Sequence, residues 1–144
     1  MALYLKYEPF VEQISNKIVD VFGATDTFKA VIHSDNTALT ASVLASVSQI
    51  PGVNGYTTGG ATIAYTCARS GGTVSFAPTA DITWTASGGS LGGVTNGQYF
   101  SCYDDTPTSP ADPLMCKFDY GSTFTVATGE TMTLDFDVNL FTLA

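Results

Sequence analysis

The sequence predicts a mainly β protein, an antiparallel β-sandwich or barrel with one N-terminal α-helix, and three observations lead there. Apolar and polar residues alternate in short runs rich in Val, Ile, Thr and aromatic side chains, the period of strands with one buried face. Turn signals separate these runs at short, fairly even spacing: Gly59-Gly60, Gly71-Gly72, Gly88-Gly89, Gly92-Gly93, Asn96-Gly97 and Gly129. Such spacing favours hairpin connections. A convincing helical period occurs once, near the N-terminus.

That helix is expected over Glu8 to Phe22, where Phe10, Ile14, Ile18 and Phe22 recur every four residues beside Val11 and Val21. Pro9 suits its first turn, Glu8 and Glu12 suit the positive end of its dipole, and Gly23 suits its exit. The period then changes to two. Strands are expected at Thr27 to His33, Ala61 to Arg69, Thr73 to Ala77, Ile82 to Ala86, Gln98 to Tyr103, Leu114 to Tyr120, Thr123 to Ala127 and Thr131 to Asp137. Asn139 to Leu143 reads as one more strand or as an arm. Ala38 to Ile50 has helical spacing at Leu44, Val47 and Ile50 but is otherwise dominated by Ser and Thr, so it reads as a loop with a short turn. Ser87 to Gly97 is a glycine-rich linker, and Asp104 to Pro113, with three prolines and three aspartates, is a stiff acidic tip.

The 144 residues suit one domain spanning 1–144, with an N-terminal arm at 1–7 and a C-terminal tail at 139–144. Such a chain buries roughly two-thirds of its unfolded surface. Only 12% of residues are charged and 44% are hydrophobic, which is too apolar for a disordered chain. The net charge of −8 and the scattered Lys6, Lys17, Lys29, Arg69 and Lys117 leave no stripe for phosphates, so no nucleic-acid partner is expected. No run is long and apolar enough to span a membrane, and the opening residues lack a signal-peptide pattern, so no membrane association and synthesis in a cytoplasm are expected. Cys67, Cys102 and Cys116 are odd in number and lie at strand positions without Cys-x-x-Cys spacing, as buried reduced thiols would.

Reactive constellations are not evident. His33 is the sole histidine and is expected at a surface or strand edge, which argues against a metal site and against a nucleophile–base pair. Asp104, Asp105 and Asp112 could offer oxygens to a hard cation but lack EF-hand spacing, so a solvated acidic loop is expected. Asp135 and Asp137 share one strand face, as charges protecting an edge do. Gly88 to Gly93 lacks the Gly-Lys-Ser/Thr of a phosphate loop. Trp84, Tyr99, Phe100 and Tyr103 could stack on sugars, although alternating aromatics more often fill a core or an interface. No catalytic, cofactor or metal residue is therefore assigned.

Several phrases form a set: Tyr7-Glu8-Pro9-Phe10-Val11-Glu12, Phe28-Lys29-Ala30-Val31, Asn54 to Thr62, Trp84 to Leu91, Phe118-Asp119-Tyr120-Gly121-Ser122 and Ala127 to Thr131. Together they cover most of the chain, and the set resembles small structural proteins of tailed bacteriophages and prophages. The resemblance implies a virion component made in the host cytoplasm, with a head decoration or cement role first. Its partner would be the major capsid protein, and it would act as a homo-oligomer, for which a trimer is one form. A tail or head–tail connector role is the alternative within this class, and a host-surface or glycan-binding module on Trp84, Tyr99 and Tyr103 is a third. Contact segments are expected in the arm (Leu3, Tyr4, Leu5), the glycine-rich loop (Leu91, Val94) and the tail (Leu140, Phe141, Leu143). The tail residues could equally close the domain's own core.

Overall fold

The computed structural model describes residues 3–22, 25–93, 96–137 and 139–144. Their elements in chain order are β1 (Leu3–Lys6), α1 (Pro9–Ser15), β2 (Phe28–His33), β3 (Ala61–Thr62), β4 (Tyr65–Ser70) and β5 (Thr73–Pro78). Then follow β6 (Ile82–Thr85), β7 (Gly97–Asp104), β8 (Leu114–Phe124), β9 (Thr131–Leu134) and β10 (Phe141–Leu143). They form a five-stranded sheet ordered β1-β8-β7-β2-β3, a three-stranded sheet β10-β5-β4 and a two-stranded sheet β6-β9, with antiparallel pairing throughout. The fold class is therefore mainly β with one short helix near the N-terminus, as the period-two runs require.

Alternation along β2 sorts its side chains. Phe28, Ala30 and Ile32 join the main core with Phe100 and Cys102 of β7, Phe76 of β5, Trp84 of β6 and Leu134 of β9, so the large sheet packs against both smaller ones like a sandwich. The opposite face is covered as well. There Val31, Tyr103 and Leu114 pack with Tyr7 against Leu44, which opens a short 3-10 turn at Leu44–Ser46, and Val47, which follows it. The Ser- and Thr-rich stretch between β2 and β3 is thus a loop, as its composition indicates, and it seals the second face of the sheet.

Two departures have local causes. The helix ends at Ser15, not Phe22, because Lys17 turns left-handed at φ 56 while its N–H bonds the Ile14 carbonyl and the Ile18 N–H bonds the Gln13 carbonyl. This closes the helix in the manner usually reserved for glycine. Phe10 remains buried, Ile14 and Ile18 are half-buried, and Phe22 is exposed. The expected break between Leu114 to Tyr120 and Thr123 to Ala127 is also absent: β8 runs on to Phe124, opposite Gly97, with a register shift between Gly97 and Tyr99 in place of a turn. A second shift pairs Cys102 with Cys116 and Tyr103 with Leu114. Met115, left unopposed, joins the main core, while Leu114 joins the other face.

The tail is the final strand of the three-stranded sheet, with Phe141 opposite Phe76 and Leu143 opposite Val74. Of the two roles open to it from sequence, it closes the domain's own core. The Asn54 to Thr62 phrase has an equally local reason. Gly60 sits at φ 72, and a Cβ there would lie 1.9 Å from the Ala30 carbonyl oxygen, so the backbone touches β2 where only glycine fits.

Candidate functional site

The large sheet, β9 and the segment leading to β10 leave a groove of about 840 Å³ between them. Phe118 and Tyr120 come from β8 and Tyr4 from β1, while Phe136 comes from the segment after β9. Tyr4 meets Phe118 edge-on with centroids 5.5 Å apart, and Phe118 meets Phe136 edge-on at 6.3 Å. The Phe136 N–H donates to Asp81 Oδ1 at 2.9 Å, which fixes the segment that carries this ring. Asp135, Asp137 and Asn139 line the same groove and are exposed, so an aromatic surface carries an acidic, solvent-facing rim. Tyr4 is 38% and Tyr120 51% exposed, so two aromatic rings of the groove remain partly open to solvent.

β1 sits at the margin of the large sheet, paired only with β8 among the described residues, so its outer backbone edge is open. Leu3, at its start, is 60% exposed. The expected arm is therefore a fixed edge strand that presents Leu3 and Tyr4, while Leu5 is half-buried.

On the opposite face of β7 lies a polar relay that sequence reasoning missed. Tyr7 Oη is 2.9 Å from Ser101 Oγ, Ser101 Oγ is 2.8 Å from His33 Nε2, and His33 Nδ1 is 2.9 Å from the Asp35 carbonyl and 3.2 Å from Asp35 Oδ1. Asp35 in turn accepts from the Thr37 hydroxyl and the Ser48 N–H. The expected surface histidine is fully buried, because β2 is covered on both faces. Burial lowers its pKa, and a neutral ring can donate from Nδ1 and accept from Ser101 at Nε2. The order of groups is that of a nucleophile, base and orienting acid. Ser101 is also fully buried and is held by the Tyr7 hydroxyl, and neither Ser101 nor His33 lines the groove. The relay ties the loop after β2 to the sheet. Ser101→Ala would leave the Tyr7 hydroxyl and His33 Nε2 without their shared partner, an expected loss of about 1–3 kcal/mol in urea unfolding.

Lys117, only 2% exposed, reinforces the same attachment by donating to Asn36 Oδ1 at 2.7 Å and the Thr37 carbonyl at 2.6 Å. Burial lowers its pKa against the opposing attraction of Asp119 and Asp35.

Other expected positions are corrected. Leu91 and Leu140 are buried in the main core, and Phe141 and Leu143, half-buried, pack against it. The glycine-rich loop is tied to its own domain, since the Leu91 N–H bonds the Val126 carbonyl and Asn54 Nδ2 bonds the Ser90 carbonyl. Val94 lies outside the described residues. Trp84, Tyr99 and Tyr103 are buried and form no sugar platform. Asp104 is buried instead of solvated, and Asp105 pairs with Lys29 at 2.6 Å. Among the described residues no group of three or more His, Cys, Asp or Glu is placed to hold a metal ion. Cys102 and Cys116 are buried free thiols, while Cys67 is half-buried. Asp135 and Asp137 lie beyond the end of β9, on the groove rim, instead of along a strand face.

No family model, no curated protein and no solved structure matches the chain. Among the described residues no helix is long and apolar enough to cross a membrane.

Proposed function

We propose that this chain is a bacteriophage head-decoration protein, a β domain that binds the outside of an assembled shell and bridges coat subunits as a homo-oligomer. One observation carries the reading: Tyr4 and Tyr120 remain partly exposed in an aromatic groove, beside an open edge strand that also exposes Leu3. Exposed apolar area of this kind is stabilised when a neighbour covers it. The resemblance to small virion proteins of tailed phages supplies the kind of neighbour, the major capsid protein. The low share of charged residues keeps the cost of close contact small.

A protein that binds the assembled shell better than free coat subunits stabilises the shell by mass action, and many copies bridging neighbours add avidity. The test is co-sedimentation of the purified chain with heads that lack it. Saturable binding at a fixed ratio to coat, with greater resistance of the heads to heat and no binding to unassembled coat, is expected. Free chain left in the supernatant at every concentration contradicts the proposal.

A further inference from the structure

We infer that the groove is the site where an extended, arginine- or lysine-bearing segment of the coat protein docks, its cationic side chain lying over the aromatic rings beneath the Asp135–Asp137 rim. The inference rests on the head-decoration reading and names the chemistry of its partner.

Three features of the molecule converge on it. First, the groove presents Tyr4, Phe118, Tyr120 and Phe136, whose ring faces attract cations, and no Lys or Arg lines it. Second, Asp135 and Asp137 add negative charge at its rim, on a chain whose net charge is already −8. A cation arriving there is steered from a distance and then held by ring and carboxylate together. Third, the outer edge of β1 is unpaired among the described residues, and Tyr4 projects from that strand into the groove. A segment added along β1 would satisfy backbone groups on both chains and set its side chains at a two-residue repeat near the rings. A second copy of this chain fits less well, because it brings 13 acidic and 5 basic residues to an acidic rim.

The test compares the wild type with Asp135→Asn/Asp137→Asn in sedimentation with heads that lack the protein, across a range of salt. Both aspartates are exposed, and an unchanged urea midpoint checks that the double variant keeps its fold. Affinity about tenfold weaker, with a flatter salt dependence, is expected of the double variant. Tyr120→Ala, which removes a half-exposed ring and no charge, should weaken binding while leaving the salt dependence in place. If both variants bind like wild type, the groove is not the docking site although head decoration stands. A wild type that ignores heads overturns both ideas. Displacement from heads by a neutral oligosaccharide, or a change of the variants' oligomeric state with head binding intact, would reassign the groove to a sugar or a second copy and overturn this inference.

Discussion

Phe76→Ala is expected to destabilise the domain by about 3–5 kcal/mol, the usual cost of deleting a fully buried aromatic ring. Phe76 stacks on Tyr65 at 4.4 Å and on Phe141 at 5.0 Å, and meets Phe28 edge-on at 5.1 Å. Phe141 in turn meets Phe10 edge-on at 5.1 Å. One ring therefore joins β5 to β4 and β10 within its sheet, to β2 across the sandwich and, through Phe141, to α1. The neighbours come from three separate elements and cannot all move inward together, so a cavity remains. Against a total stability of about 5–15 kcal/mol this is a large fraction. The urea midpoint measures it. Phe22→Ala, which removes an exposed ring, should shift that midpoint little. A loss below about 1 kcal/mol for Phe76→Ala would mean that the small sheet is not held through this cluster.

The second large effect depends on pH. Asp104 is fully buried at the end of β7, where burial and a carboxyl–carboxyl contact with Asp26 push its pKa up to about 7, against the Thr106 N–H that bonds its Oδ1. Oδ2 finds no hydrogen-bond partner, which makes a charge on this carboxyl costly to bury. The raised value means that the folded state holds this proton more tightly than the unfolded chain. Its stabilising contribution is full below the ordinary value of 3.8 and is lost as pH rises through about 7.

Asp104→Asn replaces the acid by an amide that stays neutral at every pH and can still accept from the Thr106 N–H. It should therefore be the more stable protein above pH 7, by up to about 4 kcal/mol, with the difference closing toward pH 4. His33 runs the other way. Its lowered pKa gives stability that is present above the ordinary value of 6.5 and lost as pH falls below it. In the variant that loss on acidification is no longer offset, so the stability profile should tilt toward alkaline pH. Urea unfolding from pH 4 to pH 8.5 measures both, and equal stability of the two proteins at pH 8 would contradict a raised pKa at the buried Asp104.

Much of this fold is legible in the sequence because the strands carry their own period. The expected Thr27 to His33, Thr73 to Ala77, Ile82 to Ala86 and Gln98 to Tyr103 differ from β2, β5, β6 and β7 by only a residue or two at their ends. The helix is legible in its position but not its length, since the stripe continues through Ile18 and Phe22 after Lys17 has turned the backbone. The break expected between Leu114 to Tyr120 and Thr123 to Ala127 is instead carried within one long strand.

The candidate site is harder to read because it is made by non-local packing. Phe118-Asp119-Tyr120 and Asp135-Phe136-Asp137 are both visible as alternating runs, but nothing local brings Phe136 against Phe118 or opens a groove beneath Tyr4. The Ser101–His33–Asp35 relay is hidden for the same reason. His33 and Ser101 lie far apart in the chain and become cross-strand neighbours only through the β2–β7 register, in which Val31 faces Ser101 and His33 faces Tyr99. Leu91 and Leu140 look like free loop and tail residues in sequence, and become core because the strands beside them leave room for both.

A density map of an intact particle is the most direct test of the central idea. The chain should occupy many symmetry-related positions on the outer shell, with the open edge of β1 and the Tyr4–Tyr120 groove turned toward a coat subunit and filled by it. A particle in which the chain is absent from the shell, or in which Leu3, Tyr4 and Tyr120 face solvent, would contradict it.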